Sequence, residues 1–276
     1  MPATRSSIFA GHPTLCGHRG LGSGEVDGHR ENTLGSFLAC VAAGLDWVEV
    51  DLRVTSDDVV VCEHFPTIPD GRYVVELTAA ETDAAGILRL SQLFEALPEH
   101  IGVNLDIKTA VEDALREASA TTAATLGRLV RGESGRRPLL FTSFDPAALR
   151  IAQEQAPMVP AGLLTWTRFP LRKAVPAAKH LGLQAVVAHV GSFSGPNEND
   201  RAPVFRDAAW TINLAHRAGL DVMSWCPSVD ELGTLTEAGV DCHVVNDAAR
   251  ARARLTAAGA ASSARPTSDP ACGPPP

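Results

Sequence analysis

Short runs rich in Val, Leu and Ile alternate along the chain with longer, alanine-rich segments whose apolar residues recur at helical spacing. The runs are TLCG at 14–17, DWVEVDLRVT at 46–55 with VVVCEH at 59–64 behind it, GVNLDIK at 102–108 and PLLFTS at 138–143. VPAGLLT at 159–165, QAVVAH at 184–189, LDVMSW at 220–225 and DCHVVN at 241–246 complete the series. Helical segments lie between them, at 32–44, 109–130, 145–155, 205–219 and 228–239. With VVVCEH counted as a partner of the second strand, eight strand signals remain, each followed by a helical one. Such alternation implies a parallel sheet, and eight units imply an α/β fold closed as a (β/α)8 TIM barrel. A doubly wound open sheet is the alternative.

The element ends agree with this parsing. AAGLD, RAGLD and EAGVD each place a glycine where a helix must turn through a left-handed residue into a strand. Asn32 is placed to cap the first helix. The barrel is assigned to residues 12–254 as a single domain, and residues 255–276, rich in Ala, Ser and Pro without periodicity, to a disordered tail.

Composition narrows the function. Aromatic residues make up only 5% of the 276, so the core is built from Ala, Val, Leu and Ile. The net charge of −8 argues against a nucleic-acid surface, although a few local cations or a metal ion would still receive a small anion. No apolar run reaches the roughly 18 residues of a membrane span, so no stable membrane insertion is expected. The first residues lack an apolar signal core, and the six cysteines show no paired spacing. Reduced thiols and a cytoplasmic location follow as expectations. The expected partner is a small-molecule substrate, and the oligomeric state stays open.

In such a barrel, reactive groups belong at the carboxyl ends of the strands. His18 and Arg19 follow the first strand, Glu49 and Asp51 lie late on the second, and His64 ends its partner run. Asp106 and Lys108 end the third, Ser143 the fourth, His189 the sixth and Trp225 the seventh. Glu49 and Asp51 are two residues apart on a strand and share a face, as do Asp106 and Lys108. Adjacent carboxylates facing partial burial need either a proton on one of them or a cation between them. Three of them on neighbouring strands suit a hard divalent ion, Mg2+ or Ca2+, better than zinc.

The ordered series GHRG, ENT, GLDWVEVDLRVTSDDVVVCEH, NLDIK and AGLDVMSW…EAGVDCHVVND resembles the glycerophosphodiester phosphodiesterase family, from Cys16 to Ala248. The resemblance implies metal-dependent hydrolysis of a glycerophosphodiester to glycerol 3-phosphate and an alcohol. It implies that His18 and His64 are the general acid and base, and that Glu49, Asp51 and Asp106 are the metal carboxylates. Arg19 and Lys108 would face the phosphate, Trp225 the site wall, and Glu31 would support the site from behind.

Three features depart from the family pattern. Phe65 and Pro66 follow His64 where an Asp is usual, which removes that Asp's orienting role. The stretch between His64 and the third strand leaves little room for the insertion that contacts glycerol. Asp106 stands where Glu is commoner. The Asp-x-Lys pattern is also similar to sphingomyelinase D and lysophospholipase D-like enzymes, which supply an alternative substrate class. A barrel that binds an anionic metabolite without catalysis is a second alternative. A sugar-phosphate isomerase barrel would share the fold but would need neither three carboxylates nor two histidines. Simpler roles also exist: Glu49 and Asp51 as acids paired with Arg53 or Lys108, Ser143 as a structural hydroxyl or helix cap, His189 as a hydrogen-bonded barrel residue.

Overall fold

Alternation within each strand sorts the side chains into two cores. The computed structural model of the protein describes residues 7–9, 13–194 and 206–263, with side chains placed up to residue 257. Eight parallel strands run in chain order: β1 Thr14–Gly17, β2 Trp47–Val54, β3 Gly102–Ile107, β4 Leu139–Ser143, β5 Ala161–Leu164, β6 Ala185–His189, β7 Asp221–Trp225 and β8 Cys242–Val245. Each pairs with the next, and β1 pairs with both β8 and β2, which closes the barrel. Val60–Cys62 adds an antiparallel strand to β2, so VVVCEH is a partner strand and not a ninth stave.

One row of side chains faces the barrel axis. Cys16, Trp47, Leu140, Leu164, Val187, Met223, Cys242 and Val244 form an interior cluster, with Phe9 edge-on to Trp47 at 5.2 Å. The opposite row, including Val48, Val50, Leu52, Leu105, Phe141, Val186 and Val222, packs against the helices as a larger outer core. Each fully buried Leu, Ile or Phe contributes about 1.5–3 kcal/mol. The interior cluster gives the barrel an apolar floor, and residues two and four places further along the same row stand above it. Above Trp47 those are Glu49 and Asp51.

The helices follow the expected positions with two differences. Thr33, not Asn32, caps the first helix, Leu34–Ala42, by accepting from the Ser36 N–H; Asn32 is engaged elsewhere. The single helix expected at 109–130 is broken into 3-10 turns at Val111–Leu115 and Ala118–Ala120 before the helix Thr122–Val130. Val111 and Leu115 are 83% and 94% exposed, so no core holds a first helical turn there. Asp113 instead accepts from the Thr122 N–H, and Thr121 caps the helix that follows. Gly44, Gly219 and Gly239 take the left-handed conformation that their sequence positions call for.

The last helix, Ala248–Ser263, runs on past Arg254 into the segment assigned to the tail. Residues 264–276, the rest of that segment, and residue 12, the assigned start of the barrel, lie outside the described residues. Among the described residues no helix is long and apolar enough to cross a membrane. The five described cysteines are free, and Cys272 lies outside that set.

One buried base carries a pH signature. His243 on β8 is fully buried, its Nδ1 paired with the Ser224 hydroxyl at 2.8 Å and its Nε2 with the Thr236 hydroxyl at 3.0 Å. Burial pulls its imidazole from 6.5 down to about 4, with Asp241 opposing. Below pH 6.5 the unfolded chain therefore takes up a proton that the folded chain refuses until about pH 4. Stability from this group is constant above that window, falls as pH drops through it, and levels off below. The loss is on the order of 3 kcal/mol. Urea unfolding at pH 7.5 and 4.5 should show a smaller acid loss for His243→Gln than for the parent; equal losses would exclude this source.

Candidate active site

Backbone ladder bonds extend past the strand ends and pin the reactive residues. The His18 N–H donates to the Val245 carbonyl at 3.0 Å, continuing the β1–β8 ladder. Lys108 N–H does the same to Leu52 at 3.0 Å, and Glu63 N–H to Asp51 at 3.0 Å. After β1 the chain must turn sharply, and Gly17 makes this possible: a Cβ there would meet the Gly20 carbonyl oxygen at 2.1 Å and Cys40 Sγ at 2.3 Å. Arg19, Asn32 and Cys226 adopt φ of 52°, 55° and 54°, a costly conformation for non-glycine residues. All three side chains contact the groups described next.

Glu49, Asp51 and Asp106 meet above the barrel floor. The β2–β3 register sets Asp51 directly beside Asp106 and Glu49 beside Asn104. The three acids are 4%, 1% and 5% exposed, and one oxygen from each lies within 4.8 Å of the others. Lys108 Nζ lies 2.9 Å from Asp51 Oδ1 and also pairs with Asp106. Arg19 spans the other side. Its backbone N–H donates to Glu49 at 2.9 Å, its Nη1 donates to both oxygens of Glu31 at 2.9 and 3.0 Å, and its Nε lies 3.0 Å from Asp51 Oδ2. Asn32 completes the Asp51 shell, donating from Nδ2 at 2.8 Å and accepting the Asp51 N–H at 3.2 Å.

Two imidazoles flank this cluster. His18 Nε2 is 3.9 Å from Glu49 Oε2, and His64 Nδ1 is 3.2 Å from Asp51 Oδ1. His64 Nε2 lies 3.4 Å from Arg19 Nη2, and its carbonyl accepts from Arg53 Nη2 at 2.7 Å. Asp51 and Arg53 thus orient His64, where the family pattern has an Asp next in sequence. Phe65 packs edge-on to the imidazole at 4.8 Å and is 58% exposed.

The charges respond to one another. Burial pushes the Glu49 carboxyl well above its usual range, and the negative Asp51 and Asp106 push it further. Burial also raises Asp106, with Lys108 opposing and Asp51 adding to the rise. Asp51 goes the other way: burial is outweighed by the His64 hydrogen bond and the charges of Lys108 and Arg19, so its carboxyl is held below the usual range. The same carboxylates raise Lys108 and Arg19 despite their burial. One acceptor is left over: Asp106 Oδ1 is buried with no hydrogen-bond partner among the described residues. A buried, unmatched carboxylate oxygen facing two further acids is the donor set of a hard divalent cation.

The remaining sequence candidates divide. Trp225 stands at the same rim, its Nε1 donating to the Thr165 carbonyl at 3.3 Å and its ring 4.4 Å from His189. Phe144 and Trp166 stack at 4.2 Å beside it, and Lys108 Nζ is 5.9 Å from the Phe144 ring. His189 Nδ1 accepts the Gly191 N–H, and Ser143 donates to Ile107 and accepts from Asp145, the residue that caps the next helix. Both take local structural roles. Sequence reasoning gave Asn32 and Arg53 other roles, and missed Phe144, Trp166, Cys226 and Asn246. Asn246 was findable, since it follows Cys242 and Val244 on the inward row of β8. A cavity of about 460 Å3 opens there, lined by Cys226, Ser228, Leu232, Asn246, Asp247 and Arg250 among others.

The sequence matches the glycerophosphoryl diester phosphodiesterase family over residues 18–250. A glycerophosphodiester phosphodiesterase of Arabidopsis thaliana is 23% identical over 239 residues, covering 66% of this chain; the chain spans 64% of that relative's length. The crystal structure of a glycerophosphodiester phosphodiesterase from Thermotoga maritima superposes with a TM-score of 0.66 at 19% identity, covering 87% of this chain and 96% of that one. A phosphodiesterase from Oleispira antarctica, solved with its product sn-glycerol 3-phosphate, gives 0.67 at 19% identity, covering 88% and 97%. At these identities the structural likeness establishes the shared barrel.

A cation held by the three acids stabilises only the folded state. Mg2+ or Ca2+ at about 100 times its dissociation constant should therefore add about 2.7 kcal/mol of stability, read as a rise of several degrees in thermal midpoint. Glu49→Gln and Asp106→Asn should abolish that rise. An unchanged rise in both variants would place the ion elsewhere.

Proposed function

The chain belongs to the glycerophosphoryl diester phosphodiesterase family, and from that premise we propose that it hydrolyses a glycerophosphodiester, or a closely related ester, to glycerol 3-phosphate and an alcohol. The observation that carries the reading is the pairing of a buried triple-carboxylate cluster with one imidazole on each of two of its members. The product held by the Oleispira antarctica enzyme supports the same substrate class.

A phosphodiester is anionic, so charge must be neutralised before a nucleophile can approach. Arg19 offers a planar guanidinium to phosphate oxygens, and Lys108 a point charge. Glu49, Asp51 and Asp106 would hold Mg2+ or Ca2+, which supplies Lewis-acid stabilisation of charge at phosphorus. His18 and His64 are the two proton-transfer groups. One accepts the proton of the attacking hydroxyl, and the other donates to the departing alkoxide. The attacking hydroxyl belongs to water or to the substrate itself, the second route passing through a cyclic phosphate. Glu31 holds Arg19 by both oxygens and so fixes the plane of the guanidinium.

One observation favours the alternative of a lysophospholipase D or sphingomyelinase D-like substrate. Phe144, Trp166 and Trp225 line the rim next to Lys108, and such a wall suits an apolar or quaternary-ammonium group beside the phosphate. The non-catalytic alternative leaned on Phe65, and the orientation of His64 by Asp51 weakens it.

Purified protein with Mg2+ or Ca2+ should release sn-glycerol 3-phosphate from glycerophosphodiesters with choline, ethanolamine or glycerol head groups. Faster turnover of the 1-acyl forms would select the phospholipase-type substrate. His18→Ala and His64→Ala should each lower turnover at least ~100-fold. Full activity in EDTA would remove the metal from the scheme, and full activity in either variant would remove that histidine.

A further inference from the structure

The His18 imidazole touches different partners at its two nitrogens. Nε2 faces Glu49, and Nδ1 lies 2.6 Å from Asn246 Oδ1. The identity of that amide atom is fixed by a second neighbour. The backbone N–H of Ser23, which can only donate, reaches the same atom at 3.2 Å, so the atom is the oxygen. The other end of the amide donates from Nδ2 to Cys226 Sγ at 3.2 Å. An amide oxygen only accepts, so the Nδ1 it meets carries the proton. In a neutral imidazole Nε2 is then the bare nitrogen.

We propose that Asn246 is a positioning residue that holds His18 with its proton on Nδ1 and its Nε2 lone pair turned toward the carboxylate cluster. Only the use of Nε2 in proton exchange rests on the phosphodiesterase reading; the tautomer is independent of it. The backbone supports the arrangement from both sides. The His18 N–H donates to Val245, the residue before Asn246, and the Cys226 N–H donates to Val244 at 2.9 Å. Cys226 Sγ is also near Nδ1, but at 3.8 Å it does not compete with an oxygen at 2.6 Å. An amide has a further advantage over a carboxylate here. It directs the imidazole without adding a fourth negative charge to a pocket that already holds three acids.

The test is the nitrogen-15 spectrum of the histidine-labelled protein at about pH 8.5, above the ordinary imidazole value of about 6.5, with His18 assigned by its loss in His18→Gln. The parent should show a protonated Nδ1 and a bare Nε2 for His18. Asn246→Leu should shift His18 toward the Nε2–H form and lower kcat about 10–100-fold with little change in KM. Asn246→Asp, which keeps the acceptor, should keep the Nδ1–H form and recover part of kcat. A parent His18 protonated on Nε2 overturns the proposal, and needs no variant to fold. An Asn246→Asp protein with the right tautomer but the turnover of Asn246→Leu also overturns it. A tautomer that responds to Asn246 in a protein without phosphodiesterase activity upholds the positioning and refutes the activity instead.

Discussion

Three carboxylates buried together inside a closed barrel cannot all ionise without positive charge brought against them. Two unit charges 4 Å apart interact by about 4 kcal/mol at the effective dielectric of a protein, and each acid also loses its hydration on burial. The His64 hydrogen bond together with the charges of Lys108 and Arg19 outweighs burial at Asp51, and of the three acids it is the one held as a ready anion. Glu49 and Asp106 are driven the opposite way, and Asp106 keeps an unmatched oxygen. Glu31 takes up part of the Arg19 charge, so the two basic residues do not neutralise the pocket. Were all three acids ionised, a phosphodiester entering it would meet net negative charge, as it would over a chain of net charge −8. A divalent cation held between the acids would lower that barrier, and would tie the site's stability and its affinity for substrate to the same ion.

The scaffold fixes this cluster above an apolar floor by backbone bonds at the rim. Cys16, Trp47, Leu140, Val187 and Met223 pack together in the barrel below the acids. Ladder bonds reach one residue beyond β1 and β3, which leaves His18 and Lys108 no freedom of backbone direction. Where the turns demand a left-handed residue, Arg19, Asn32 and Cys226 accept it and are held there by side-chain contacts to the site. Local strain and function coincide at those positions.

The barrel was legible because its strands are short, β-branched and separated by helices that end on glycine, a pattern that few other topologies satisfy. The acids and histidines were legible because each interrupts an apolar row at the same strand end. What failed was local. Asn32 has the composition of a helix cap, and nothing nearby in sequence marks Asp51, nineteen residues on, as its stronger partner. The segment 109–130 has helical composition, but its first half faces solvent, a fact decided by the tertiary fold. Asn246 belongs to the same inward row as Cys242 and Val244, so its importance follows from strand alternation once its partner across β1 is known. Phe144 and Trp166 are invisible to a rule that looks only for polar groups at strand ends.

The rim is divided by strand order. β1, β2, β3 and β8 carry the charged groups and the amide that meets His18, while β4 to β7 end in Phe144, Trp166, His189 and Trp225. Lys108, at the end of β3, touches both halves, with Nζ on Asp51 and 5.9 Å from the Phe144 ring. A phosphate bound at Lys108 and Arg19, as proposed, would lie between the aromatic half and the side that holds His18 and the cavity beside Asn246. Binding energy from the aromatic half can then be used to align the ester bond between the imidazoles, because it acts on a group that does not itself react. Were the short segment after His64 to make no contact with the alcohol, the aromatic wall on the other half of the rim would still offer a surface for it.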